Sequence, residues 1–179
     1  MRFLNEIKGQ EQQIVCMFTA AFIESESADE GALVGNLVRN LLGGTSQRDI
    51  HVFTAVDDGA LIGGAIFSRL TYANDPRTVF ILSPMAIATD RQGQGIGQAL
   101  ITRALAALRE AGVDVAITYG DPAFYRKVGF LPLTEAIAPS PLPLSHPSGW
   151  IGQSLTDAAL KPLLGTCTCV AALNDPAIW

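Results

Sequence analysis

Few residues of this chain carry the chemistry of metals, redox centres or polyanion binding. Its 179 residues include three cysteines, two histidines and only three lysines, and charged residues make up 16%. Cys16, Cys167 and Cys169 form no CxxC pair, and neither histidine is near a cysteine in sequence. A structural zinc site, which needs four closely spaced ligands, is excluded, and no metal is expected. Cys167 and Cys169 read instead as alternate residues of a late strand. Twelve basic against seventeen acidic residues leave a net charge of −5, the wrong sign for nucleic acid or an anionic membrane. No apolar run reaches about 18 residues, so no membrane-spanning helix is expected. Polar residues at Glu6, Lys8, Glu11, Gln12 and Gln13 interrupt any signal-peptide core. A cytoplasmic protein is expected.

Hydrophobic residues, at 49%, are plentiful, and mean hydropathy is positive. Disorder is excluded, and the length suits one domain with a core that needs no staple. Charge is unevenly spread. Residues 1–76 hold 5 basic and 10 acidic side chains, residues 77–130 hold 6 and 4, and residues 131–179 hold 1 and 3. Only the +2 middle third favours an anion.

Periodicity places the elements. Met1–Ile7 reads as a short strand. Ile14, Phe18, Ala21 and Phe22 share one helical face. The acidic stretch 24–30 breaks that pattern and reads as a linker, after which Leu33, Leu37 and Leu41 define a second helix ending at Gly43-Gly44. Residues 51–56 and 61–67 are strands joined by the turn Asp57-Asp58-Gly59. A fourth strand runs from Val79 to about Ala88, with Pro84 predicting a bulge or an edge. A helix over 95–112 and a fifth strand over 113–118 complete a crossover, which makes strands four and five parallel. Asp121-Pro122 opens a short helix, and 129–133 returns to extended structure. Four prolines within 139–147 forbid a helix and predict a surface loop. Residues 150–179 supply one or two last strands.

The most informative segment joins the fourth strand to the long helix: Arg91-Gln92-Gly93-Gln94-Gly95-Ile96-Gly97-Gln98. Three glycines at alternate positions leave backbone N–H groups uncovered at a helix N-terminus, where they and the helix dipole favour phosphate. Arg91 can add charge, and Gln92 and Gln98 can add donors. A Rossmann fingerprint would need glycine at 98, and a Walker A loop would need Gly-Lys-Ser/Thr; neither is present. The pattern present is Gln-x-x-Gly-x-Gly, at Gln92, Gly95 and Gly97. About 28 residues on stands Gly120-Asp121-Pro122-Ala123-Phe124-Tyr125-Arg126-Lys127-Val128-Gly129-Phe130.

Together these motifs resemble the GNAT superfamily of acetyl-CoA-dependent N-acetyltransferases. The Gly-Asp-Pro-x-x-Tyr-x-x-x-Gly-Phe form resembles its YhbS-like branch. The resemblance covers about residues 1–135. It implies a mixed α/β (α+β) fold with helices on both faces of a mostly antiparallel sheet, splayed at a parallel pair formed by strands 4 and 5. It implies acetyl-CoA as cosubstrate, with Met85, Ala86 and Ile87 beside the pantetheine arm. Arg91, Gln92, Gly93, Gln94, Gly95, Ile96, Gly97 and Gln98 would surround the pyrophosphate, and Phe124 and Tyr125 would lie near the thioester. Tyr125 would protonate the departing thiolate. The acidic segment would line the pocket of an amine acceptor, with Glu24 and Glu26 holding the ammonium or taking its proton. A monomer or homodimer is expected. The alternative is a non-catalytic acyl-CoA-binding module of the same fold. Asp121 reads as a helix cap, His51 as a packed strand residue and His146 as part of the proline loop. No Ser-His-Asp set and no acetyl-cysteine route has support.

Overall fold

Asp58 and Gly59 both take positive φ, 48° and 82°, the pairing that a two-residue hairpin turn needs to match strand twist. This turn joins β2 (Ile50–Asp57) to β3 (Ala60–Tyr72) in a computed structural model that describes every residue except Glu6. The other strands are β1 (Arg2–Leu4), β4 (Val79–Ile87), β5 (Val115–Tyr119), β6 (Leu131–Pro132), β7 (Trp150–Ser154) and β8 (Cys167–Cys169). The helices are α1 (Glu11–Ser25), α2 (Ala28–Gly44), α3 (Ile96–Glu110) and the single turn α4 (Pro122–Tyr125), with short 3-10 turns between elements. The strand order is β1-β2-β3-β4-β5-β7-β6, with β8 paired to β3. β4 and β5 run parallel, whereas the pairings β1–β2, β3–β8, β5–β7 and β6–β7 are antiparallel. This is the expected mixed fold. Among the described residues no helix is long and apolar enough to cross a membrane.

Two local expectations change. The first strand is shorter than Met1–Ile7, ending at Leu4; part of the predicted span, Glu6, lies outside the described residues. The acidic stretch 24–30 is not a linker. α1 continues through Ser25 and α2 begins at Ala28, so only Glu26 and Ser27 stand between them. Ser27 caps α2 by accepting the Glu30 N–H at 3.1 Å. An N-cap can follow closely on a preceding helix, and carboxylates are welcome in the first turn that Asp29 and Glu30 occupy.

Contacts divide the chain into two compact units, and β3, β4 and α3 each run from one into the other. The first unit is Met1–Phe67 with Pro84–Ala104. Its core draws Ile14 and Phe18 from α1, Val34, Leu37, Val38 and Leu41 from α2, and Ala55, Ile66 and Phe67 from the strands. α1 lies close on β3 because Gly64 has no side chain: a Cβ there would stand 2.6 Å from Phe18 Cε2.

The second unit is Ser68–Ser83 with Leu105–Trp179. Val79–Leu82 of β4 pair in register with Val115–Thr118 of β5. Pro84 lies two residues beyond the end of that ladder, which is how a strand in the middle of the sheet tolerates it. Asp114 closes the start of the pair by accepting the Thr78 N–H at 2.7 Å. Phe80, Phe130 and Trp150 are fully buried here, and the Trp150 indole N–H donates to the Ala138 carbonyl at 2.8 Å.

The turn after β3 is fastened by a fork. Arg77 donates from Nε to Asp75 Oδ1 at 2.8 Å and from Nη2 to Oδ2 at 2.5 Å. It also donates to the carbonyls of Lys161 and Pro162, at 2.9 and 2.6 Å. The Asp75 side chain is only 2% exposed, and the hydrogen bonds from Arg77 hold its carboxyl well below the usual carboxylate range. Arg77→Met should therefore cost about 2 kcal/mol at pH 7, the expected 3–5 reduced because the guanidinium side is wetter. The melting temperature should fall by about 4–8 °C. A depressed folded-state pKa stabilises above the unfolded value near ~3.9, and that stabilisation fades as pH falls through the folded value. The gap between wild type and variant, followed by thermal melts, should thus narrow below about pH 4.

Candidate active site

The glycine loop is built by the register of β4. Ala86 and Ile87 are buried at its end and Met85 is half-buried. Gly63 of β3 makes room for them: a Cβ there would lie 2.5 Å from Ile87 Cδ1. The Ala88 N–H donates to the Ile62 carbonyl at 2.9 Å, holding the strand end to β3. A 3-10 turn over Thr89–Arg91 then leads into the loop.

Gly93 and Gly95 take φ of 72° and 76°, a region that side chains other than glycine rarely enter. A Cβ at either would meet nothing within 4 Å, so the space over the loop is open. Within α3 the Ala99 N–H donates to the Gly95 carbonyl at 3.0 Å. The N–H groups of Ile96, Gly97 and Gln98 occupy the first turn, where a helix supplies donors without internal acceptors and a partial positive charge.

The polar side chains of the loop are engaged with the protein. Gln92 Nε2 donates to the Ile87 carbonyl at 3.0 Å, pinning the loop to the strand end. Gln94 Nε2 reaches the Asp90 carbonyl at 3.4 Å. Arg91 Nη1 is paired with Asp57 Oδ2 at 3.1 Å, and its Nε lies 3.8 Å from Asp90. The Arg91 charge is thus shared with a carboxylate of the β2–β3 hairpin.

The second motif folds as its residues require. Asp121 caps α4 by accepting the Ala123 N–H at 2.9 Å, with Pro122 at the first helical position. Tyr125 is held at both ends of its peptide unit: its N–H donates to the Asp121 carbonyl at 3.1 Å and its carbonyl accepts from Phe130 at 3.2 Å. Its ring meets Phe124 and Phe130 edge-on, with centroids 5.0 and 5.6 Å away. Desolvation raises the phenol above its ordinary value, a hydrogen bond with Thr118 opposes that rise, and the Asp121 charge adds to it. Tyr125 keeps its proton at neutral pH.

The remaining candidates are dispersed. Glu24 is in the last turn of α1 and Glu26 is its C-cap; both are exposed. His51 stacks near Phe53 in β2, at 6.5 Å. His146 is exposed, and its N–H donates to the Tyr119 hydroxyl at 2.6 Å. All three cysteines are free, and burial pushes Cys167 up to about 11, which makes it inert as a nucleophile. Among the described residues no group of three metal-ligating side chains occurs.

Sequence reasoning gave no role to Thr118 and quoted Gly120 only as the opening of the second motif. Thr118, 1% exposed, donates its hydroxyl proton to the Leu82 carbonyl at 2.9 Å. A Cβ at Gly120 would stand 2.8 Å from Tyr125 Cε2. The available signal was that residues 118 and 120 share a face of the β5 line.

A model of the acetyltransferase (GNAT) domain matches residues 48–132. The chain is 33% identical to the uncharacterized N-acetyltransferase YjhQ of Escherichia coli K12 over 156 residues, which is 84% of this chain and 82% of the relative. It is 32% identical to the uncharacterized N-acetyltransferase YhbS of the same strain over 74 residues, 41% of this chain and 44% of YhbS. Among solved structures, the Escherichia coli GNAT family N-acetyltransferase YhbS in complex with CoA superposes with a TM-score of 0.82 at 23% identity, covering 99% of this chain and 93% of that one. A GNAT family acetyltransferase from Brucella melitensis in complex with acetyl-CoA gives a TM-score of 0.76 at 22% identity, covering 97% of each chain. These two likenesses establish the fold, and the similarity to YjhQ over most of both chains establishes kinship: the chain belongs to the GNAT family of N-acetyltransferases.

Proposed function

We propose that this protein, acting as one domain over residues 1–179, moves an acetyl group from acetyl-CoA to an amine by direct attack in a ternary complex. The observation that carries the reading is the loop before α3, with its left-handed backbone at Gly93 and Gly95 and open space above. Those features fit a pyrophosphate. The donors of Ile96, Gly97 and Gln98 would face it, Gly93 and Gly95 would let it approach, and Gln94 would flank it. Arg91 supplies a cation, and Gln92 keeps the loop against the strand end. Backbone groups at Met85, Ala86 and Ile87 would hold the pantetheine amides as an added strand does, and Phe124 would pack beside the arm. Acetyl-CoA supplies an activated acyl group.

The chain's own residues have two proton tasks. At pH 7 an alkylammonium with a pKa near ~10.4 must lose its proton, at a cost of about 4–5 kcal/mol. Glu24 and Glu26, at the end of α1, are proposed to hold that ammonium and pass its proton to water. Glu24→Gln with Glu26→Gln should raise the acceptor KM about three- to tenfold and leave the acetyl-CoA KM unchanged; an unchanged acceptor KM and pH profile would remove both residues from the site. The departing thiolate must gain a proton, and Tyr125 is proposed to supply it. A backbone N–H of β4 would hold the thioester oxygen.

The test is release of free thiol from acetyl-CoA across a panel of small amines, amino acids, peptides and lysine-bearing proteins, alongside thermal stabilisation by CoA. Acceptor-dependent thiol release is expected. Stabilisation by CoA with no release from any acceptor would leave a binding module instead. The proposed setting is the cytoplasm, where three free cysteines persist reduced; no nucleic acid or membrane partner is proposed, and the assembly is proposed to be a monomer or homodimer.

A further inference from the structure

Arg91 is the only basic residue between Arg77 and Arg103, so the glycine loop has one formal cation of its own. Two carboxylates attend it. Asp57 Oδ2 accepts from Arg91 Nη1 at 3.1 Å, and Asp90 Oδ2 lies 3.8 Å from Nε. A third, Asp58, stands next to Asp57 in the hairpin turn. Asp57, Arg91 and the loop all belong to the first unit. An acid beside an anion site opposes the anion and weakens the cation that would attract it. Asp57 cannot hold a phosphate itself, so any effect it has on one passes through Arg91.

The pair is one that Arg91 can leave. Charge-assisted N–H···O bonds usually measure about 2.7–2.9 Å, and the strongest arginine–carboxylate pairs are two-pronged. Arg91 makes a single bond at 3.1 Å, whereas Arg77 grips the nearly buried Asp75 with two. The Arg91 and Asp57 side chains are 33% and 24% exposed, and ion pairs in contact with water are weak. A guanidinium carries several N–H donors in a planar fork. Among the described residues only Asp57 accepts one from Arg91 within hydrogen-bond distance. A phosphate can take two at once. The chain around Arg91 need not refold for that change of partner. Its own N–H donates to the Ala88 carbonyl at 2.8 Å, and Gln92 Nε2 donates to the Ile87 carbonyl at 3.0 Å. Nor is the pair needed to tie β3 to the start of the loop, because the Ala88 N–H already donates to the Ile62 carbonyl at 2.9 Å.

We propose that Asp57 competes with the coenzyme phosphates for Arg91 and so sets how tightly CoA is held and how readily it leaves. The inference rests on the acetyl-CoA reading of the loop. When a phosphate takes the guanidinium, Arg91 gives up Asp57. When the coenzyme departs, Asp57 takes the guanidinium back, which lowers the free energy of the released state and shortens the stay of the product. Acetyl-CoA and CoA carry the same phosphates, so Asp57 weakens both alike, and its benefit to turnover lies in the last step, release of CoA.

The test is a double-mutant cycle on CoA affinity. Titration calorimetry at one low ionic strength compares wild type, Asp57→Asn, Arg91→Met and the double variant. Arg91→Met should weaken CoA binding about tenfold. Asp57→Asn should tighten it about three- to fivefold in the wild-type background and by less than about 1.5-fold in Arg91→Met. CoA dissociation from Asp57→Asn, followed by stopped-flow displacement, should slow by a similar factor. Asp57 Oδ1 also lies 3.0 Å from the Met1 ammonium; the loss of that contact is common to both backgrounds and cancels. Asp58→Asn is the control for charge alone. Asp58 has φ of 48°, which asparagine adopts readily, and its loss should move the Kd by less than about 1.5-fold. Unchanged or weaker CoA binding in Asp57→Asn overturns the proposal. Equal tightening in the Arg91→Met background, or by Asp58→Asn, also overturns it, because the effect is then general charge and not competition for Arg91. A wild-type protein that binds no CoA overturns the reading of the loop and the competition with it, whereas CoA binding that ignores Asp57→Asn overturns the competition alone. If Asp57→Asn does not fold, Asp57→Ser takes its place in the same cycle.

Discussion

Tyr125→Phe should lower kcat by about a hundredfold or more while the Kd for acetyl-CoA stays within about twofold of wild type. The substitution removes one oxygen from a ring whose position does not depend on it. The backbone of Tyr125 is bonded to Asp121 and Phe130, and its ring is wedged against Phe124 and Phe130. A phenylalanine keeps those contacts, so the change reports on the hydroxyl. Stopped-flow thiol release with saturating acetyl-CoA reads it directly. The raised phenol pKa sets the pH dependence. An acid must be protonated to act, so wild-type turnover should show no Tyr125-dependent decline up to about pH 10. Its rise from acid pH should instead follow deprotonation of the acceptor amine. Unchanged kcat in Tyr125→Phe would assign the ring to packing alone.

The second large effect concerns the loop. Gly95→Val should weaken binding of CoA by about ten- to a hundredfold, the equivalent of about 1–3 kcal/mol of backbone strain at a positive φ. The space above Gly95 is open, so the loss does not come from collision inside the protein. It comes from the backbone turning to a permitted φ and from a side chain standing over the helix donors. A graded series follows. Asparagine tolerates the left-handed region best, alanine less well and β-branched valine least. Titration calorimetry with CoA should rank Gly95→Asn, Gly95→Ala and Gly95→Val in that order, with melting temperatures falling much less than affinity. Equal affinities across the series would detach the loop from CoA binding.

Much of the architecture was legible in the chain. The period of Leu100, Ile101, Ala104, Leu105 and Leu108 announced α3, and all five are buried. A strand on each side of a helix of that length implied the parallel pair, which the register of Val79–Leu82 with Val115–Thr118 bears out. Asp121 as a cap and the turn at Asp57–Gly59 follow from local chemistry, because their partners are two or three residues away. The acidic stretch failed for an instructive reason. Charge reads as breakage of a helical pattern, but exposed carboxylates at the end of α1 and the start of α2 cost the helices little, and Ser27 supplies the cap that lets α2 start at once.

The site divides along the same line. Backbone conformation is local, so the spacing of Gly93, Gly95 and Gly97 was enough to mark an anion loop. Side-chain partnership is not local. That Arg91 would pair with Asp57, 34 positions away, or that Thr118 would donate to Leu82, 36 positions away, depends on which strands come to lie side by side. No periodicity encodes that choice. Nor could the chain announce that Gly120 is glycine for the sake of Tyr125, since the clash it avoids exists only once the Tyr125 ring has come to lie over Gly120. The sequence by itself determined the elements, the loop that favours an anion and the tyrosine of the second motif. Tertiary structure alone decided which glycine lies under that tyrosine ring and which carboxylate holds the loop arginine, because close packing and ion pairs join groups near in space, not in sequence.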